Sequence, residues 1–112
     1  MIVNVITFDS YWLKMYNPNY RKPFIQFVKK QSRPFQAIIE DEVKLICENP
    51  EIGESKKGDL SAIRVHKFKF NRQEYLIAYS ANDGIQILMI DFYKVGTHEN
   101  FYTELKKYLQ RE

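Results

Sequence analysis

Apolar residues in this chain change their period along its length, and the changes divide it into elements. Residues 1–8 are rich in β-branched side chains and predict a first strand. Tyr11, Trp12, Met15 and Tyr16 follow, and Asn17-Pro18-Asn19 then predicts a loop. From Pro23, a favourable first-turn residue, Phe24, Phe27 and Val28 fall at i, i+3 and i+4, and Ser32-Arg33-Pro34 breaks this short helix. Phe35, Ile38, Ile39, Val43 and Ile46 set the rhythm of a second helix. Glu40, Asp41, Glu42 and Lys44 fill most of its other positions, up to a stop at Asn49-Pro50. The two helices should form a hairpin.

Beyond a loop containing Gly53 and Gly58, strands are predicted over 62–70, 74–81 and 85–92, joined by Asn71-Arg72-Gln73 and Asn82-Asp83-Gly84. Asp83-Gly84 is a strong hairpin signal. In the middle strand Tyr75, Ile77 and Tyr79 share one face with Leu76 and Ala78 on the other, so both faces need cover and the strand should be central. The strand before it changes parity between Ile63 and Val65 and Phe68 and Phe70, which predicts a bulge or a departure from the core. Thr97 is a good N-cap, with Glu99 in the first turn and Phe101, Leu105, Tyr108 and Leu109 as the stripe of a last helix. The order β-α-α-β-β-β-α describes an α+β domain, a mostly antiparallel sheet with an N-terminal helical hairpin and a C-terminal helix packed on it. Within that last helix, His98 and Tyr102 would lie one turn apart on one face, an imidazole and a phenol sharing one small site.

Composition narrows the picture without changing it. At 112 residues the chain suits a single domain spanning 1–112, and 45% hydrophobic residues exclude a disordered class. It has no apolar run of membrane-spanning length and no leader-like start, so a cytoplasmic protein without a membrane partner is expected. Cys47 sits in an apolar helical pattern and is expected to pack as a small hydrophobe. No zinc-type cluster is present, and neither a metal nor another cofactor is expected. A formal net charge of +3 says little, but its distribution says more. Between Gly53 and Ser80 stand Lys56, Lys57, Arg64, Lys67, Lys69 and Arg72 against Glu54, Asp59 and Glu74, a stretch suited either to phosphates or to two solvated strand faces.

Five stretches in order, Asn49-Pro-Glu-Ile-Gly53, Lys57-Gly-Asp-Leu60, Arg64-Val-His-Lys-Phe-Lys-Phe-Asn71, Glu74-Tyr-Leu-Ile-Ala-Tyr79 and Gly96-Thr-His-Glu-Asn-Phe-Tyr102, resemble the RelE/ParE toxin superfamily of bacterial type II toxin-antitoxin systems, on its RelE side. The resemblance implies a toxin neutralised by a cognate antitoxin. For RelE-like members it implies an endoribonuclease that cuts mRNA in the ribosomal A site and so inhibits translation. ParE-like members share the fold and instead poison DNA gyrase with no catalysis of their own, which is the alternative reading.

Metal-free RNA cleavage by the 2′-hydroxyl needs an acceptor for its proton, a donor to the leaving 5′-oxygen, and cations for the charge that grows on phosphorus oxygens. His98 matches a position in the final helix where several ribonuclease toxins carry a catalytic His or Arg, and its ordinary pKa of about 6.5 lets both forms exist near neutrality. Tyr102 matches an aromatic that stacks on a base or assists proton transfer; it also fits the core stripe. The resemblance sets Lys56 and Lys57 in a loop that aims lysines at the scissile phosphate. Lys67 and Lys69 would add a phosphate-facing row if their strand face is open, beside His66, a candidate second base that, as one histidine in a strand, is more often a half-buried polar residue. Over Lys67 to Tyr79 an ungapped match puts Asn71 where the family pattern has a strand-end arginine, which leaves Arg64 or Arg72 for the cation role. For the antitoxin, Tyr16, Phe24 and Phe27 would suit a groove that receives a helix or strand.

Overall fold

A computed structural model describes residues 16–83 and 88–111. The predicted first strand over 1–8 and the Asp83-Gly84 turn with the start of the last strand lie outside or at the edge of the described residues. The elements are β1 (Asn17–Tyr20), α1 (Lys22–Lys29), α2 (Arg33–Glu48), β2 (Glu54–Ser55), a 3-10 turn (Gly58–Leu60), β3 (Arg64–Phe70), β4 (Gln73–Asp83), β5 (Leu88–Gly96) and α3 (Phe101–Arg111). They form a five-stranded sheet in the order β1-β5-β4-β3-β2. β1 runs parallel to β5 and the remaining pairs are antiparallel, so the α+β class with a central β4 is as expected.

Asn17-Pro18-Asn19 is not a loop. Pro18 cannot donate to a ladder, but at a sheet edge one side of the strand needs no partner, and the segment pairs with Met89 to Phe92 of β5. Both helices of the hairpin begin with a proline in the first turn, and Ser32 caps α2 by accepting the Phe35 N–H at 3.3 Å.

The sheet carries a core on each face. On one, Phe24 of α1 and Phe35, Ile39, Val43, Ile46 and Cys47 of α2 close over Phe68, Ile77, Tyr79, Ile90, Phe92 and Val95. Phe35 is the hub, stacked on Phe70 with centroids 4.5 Å apart and 4.7 Å from Tyr75. On the other, Phe101 and Leu105 of α3 cover Ile63, Val65, Leu76 and Ala78. Eleven residues make a marginal helix alone, and burying these two anchors, at about 1.5–3 kcal/mol each, holds α3 down. Leu76, Ile77, Ala78 and Tyr79 are fully buried because β4 is sandwiched between the two cores.

The parity change in β3 needs no bulge. Ile63 and Val65 face α3, while Phe68 and Phe70 face the helical hairpin, and each set is buried by its own layer. The register shift occurs instead in β5: Ala78 pairs with Lys94 and Tyr79 with Phe92, leaving Tyr93 without an opposite residue. This bulge turns Tyr93 and Lys94 to the same face, under α3.

Candidate functional site

α3 shields only part of its sheet face. Along β3 the residues alternate, so Val65 is covered while Lys67 and Lys69 on the same face stay exposed beside the helix. Lys67 pairs with Leu76, which pairs in turn with Gly96, so the lysine row and the segment leading into α3 lie in one line across the sheet.

α3 begins at Phe101, not at Thr97. Residues 97–100 form a turn in which the His98 carbonyl accepts the Phe101 N–H at 3.2 Å and Asn100 takes a left-handed φ of 59°. Asparagine tolerates that conformation better than most side chains. The helical spacing expected for His98 and Tyr102 therefore does not exist, yet the turn brings the rings together edge to face with centroids 5.6 Å apart. His98 is exposed, and Tyr102 is half-buried against Phe101.

Lys56 completes the group. Just past the two-residue strand β2, its N–H bonds the Ile63 carbonyl, which puts its side chain on the α3 face with the ammonium 5.3 Å from the Tyr102 ring centroid. Glu54, two residues earlier and on the same face, accepts from that ammonium at 2.9 Å. The bond to Glu54 holds the Lys56 ammonium above its ordinary value, with a further contribution from Tyr102. Glu54 in turn is held below the usual carboxylate range, first by that bond and by the Lys56 charge, then by Lys67. An imidazole, a phenol ring and the ammonium groups of Lys56, Lys67 and Lys69 thus share one open face. Glu54 was not singled out in the sequence; its i, i+2 relation to Lys56 on a strand was the available signal.

Lys57 caps the 3-10 turn and is exposed. Gly58 follows at φ 65°, where a side chain would be strained, and Leu60 tucks into the α3 core, which accounts for the Lys57-Gly-Asp-Leu60 pattern. Arg72 lies at the tip of the β3–β4 hairpin, exposed, with Asn71 at φ 51° and itself at φ 66°.

Two expected site residues point elsewhere. His66 is a correction: its parity turns it to the helical hairpin, where it is 9% exposed and its Nε2 lies 2.6 Å from the Glu42 carboxylate of α2. Arg64 is a second correction. Its guanidinium donates to the Glu51 and Gly53 carbonyls at 3.3 and 2.7 Å, tying down the turn after α2. Tyr79 clamps the same turn from below, donating to the Pro50 carbonyl at 2.6 Å and accepting the Gly53 N–H at 2.9 Å. The phenol sits so close that a Cβ on Gly53 would meet its oxygen at 2.6 Å. The Asn49-Pro-Glu-Ile-Gly53 stretch is thus a scaffold for β2, and so for Glu54 and Lys56.

Across the molecule, a groove of about 490 Å³ lies between α1 and α2, lined by Tyr20, Phe24, Ile25, Val28, Ile39 and Val43 among others. Phe24 is buried at its floor and is not an exposed handle; Tyr20 and Ile25 are the exposed apolar residues at its rim. Among the described residues, no three His, Cys, Asp or Glu side chains converge as a metal site would need, and no helix is long and apolar enough to cross a membrane.

This fold, a mostly antiparallel sheet with a helical hairpin on one face and a short C-terminal helix on the other, is similar to that of solved RelE toxin structures. The E. coli RelBE toxin-antitoxin complex contains a chain that matches with a TM-score of 0.59 at 17% identity, covering 75% of this chain and 98% of that one. An arginine-to-alanine double variant of E. coli RelE in the free state gives 0.65 at 18% identity, covering 85% and 98%. Isolated E. coli RelE gives 0.57 at 17%, covering 84% and 98%. Among curated proteins, no sequence relative reaches significance. The model of the ParE-like toxins of type II bacterial toxin-antitoxin systems matches residues 19–106, and the chain belongs to that family.

Proposed function

We propose that this type II toxin is an endoribonuclease that cleaves mRNA on the ribosome. The observation behind the reading is the open face on which His98, Tyr102 and Lys56 stand in contact, with Lys67 and Lys69 in line beside them. His98 would donate a proton to the leaving 5′-oxygen or accept one from the 2′-hydroxyl, since its ring is exposed beside the lysines. Lys56, Lys67 and Lys69 would meet the phosphodiester and oppose the charge that develops on its oxygens, with Lys57 and Arg72 at the margins. Tyr102 would stack on a base or pass a proton. An incoming phosphate would take the place of Glu54 at the Lys56 ammonium.

The cognate antitoxin would lay an amphipathic segment into the groove between α1 and α2, with Tyr20 and Ile25 as the first contacts. A second reading, inhibition of DNA gyrase without catalysis, draws support from the ParE-like description of the family. The two separate in cells. Induction of the toxin should yield cut messenger, and His98→Ala should slow cutting by a factor of about 10²–10⁴, as loss of a general acid or base does. A DNA-damage response with intact messenger would favour the gyrase reading.

A further inference from the structure

On the flank of α3 opposite Tyr102, a cleft of about 550 Å³ opens between α3, the N-terminus of α1 and β5. Lys22, Lys94, Lys107 and Arg111 line it, and Glu104 is the one carboxylate among the lining residues. The cleft therefore holds a formal +3, equal to the formal net charge of the whole chain, so the rest of the sequence sums to zero. The cations come from three elements that the fold brings together. The bulge at Tyr93 is what turns Lys94 into this cleft, where it lies over the Phe101 ring and pairs with Glu104 at 2.8 Å. That pairing leaves the exposed Lys22, Lys107 and Arg111 to attract an anion from outside. Tyr108, half-buried with its ring 6.5 Å from Tyr93, stands in the α3 wall, and the exposed Gln26 amide stands in the α1 wall across from it.

Cations spread around a cleft, an aromatic face and an amide together match single-stranded RNA, whose phosphates need the first, whose bases stack on the second and whose base edges bond the third. We propose that this cleft is a second RNA-binding site, separate from the His98 face, that grips a single-stranded backbone with Lys22, Lys107 and Arg111 and seats a base against Tyr108. The site rests on the ribonuclease reading only for the identity of its polymer.

The test is fluorescence anisotropy of a mixed-sequence single-stranded RNA oligomer with the full-length protein at several salt concentrations, in a His98→Ala background so that the RNA stays whole. Combined Lys107→Glu and Arg111→Glu should weaken binding and lower the slope of log K against log salt by about 1.4, two contacts at about 0.7 each for a single strand. Lys22→Glu, on the opposite wall and in a helix first turn where an acid is favoured, should lower it by about 0.7 without relying on α3. Unchanged affinity and slope in both variants would overturn the site. So would poly-glutamate competing with RNA equally at matched charge, which would make the cleft a seat for acidic protein. Because these substitutions lie outside the group of His98, Tyr102 and Lys56 and share one His98→Ala background, a failure here differs from a failure of cleavage, which the His98→Ala comparison reads by itself.

Discussion

Single contacts decide whether the site has a floor. Tyr79 is fully buried and satisfies both the Pro50 carbonyl and the Gly53 N–H. Tyr79→Phe leaves both without their phenol partner and should cost about 1–3 kcal/mol in urea unfolding. Gly53→Ala should cost a similar amount, since the new methyl meets an oxygen that cannot move away. Burial pushes the Cys47 thiol up from 9.0 to about 11, with Glu48 adding to the effect, and burial raises the Tyr79 and Tyr20 phenols in the same direction. An acid whose native value is raised keeps its full contribution below the unfolded value and loses it as pH climbs toward the native one. Stability should therefore fall between about pH 9 and 11, with Cys47 contributing up to about 1.4 kcal/mol per pH unit. In Cys47→Ala, urea midpoints measured across that range should fall less steeply; an unchanged slope would contradict the assignment.

At the scale of elements, hydrophobic period marked both helices of the hairpin, because each has one dominant buried face, and the unbroken apolar run of β4 marked a strand covered on both sides. It misplaced the start of α3 because Thr97 and Glu99 imitate a cap, while the turn through Asn100 delays the helix to Phe101. It missed β1 because Pro18 forbids a central strand but not an edge. The faces of β3 were not legible: His66 and Lys67 are equally polar in the sequence, and only the Glu42 partner on α2 shows that His66 turns inward. The β3–β4 hairpin invites an experiment of its own. Arg72 occupies a left-handed position that glycine prefers in two-residue turns. Arg72→Gly should stabilise the fold by about 1 kcal/mol, read by thermal or urea unfolding. If Arg72 also serves the phosphate, the same variant should bind RNA more weakly, so that stability and function move in opposite directions.

The whole molecule separates its tasks by face. The helical hairpin presents an apolar groove, and the opposite face of the sheet gathers the lysines, His98 and Tyr102 on one side of α3 and the basic cleft on the other. A sheet with β4 sealed in its centre can hold both surfaces rigidly. The site residues came from distant parts of the sequence, and their meeting depends on β2 folding back beside β3 and on α3 returning across the sheet. The most direct measurement is the chemistry of the cut. Purified toxin added to ribosomes programmed with a defined mRNA should yield fragments ending in 2′,3′-cyclic phosphate and 5′-hydroxyl, with cleavage strongly reduced by His98→Ala and by combined Lys67→Ala and Lys69→Ala. Intact mRNA, or cleavage at the parental rate by His98→Ala, would contradict the account.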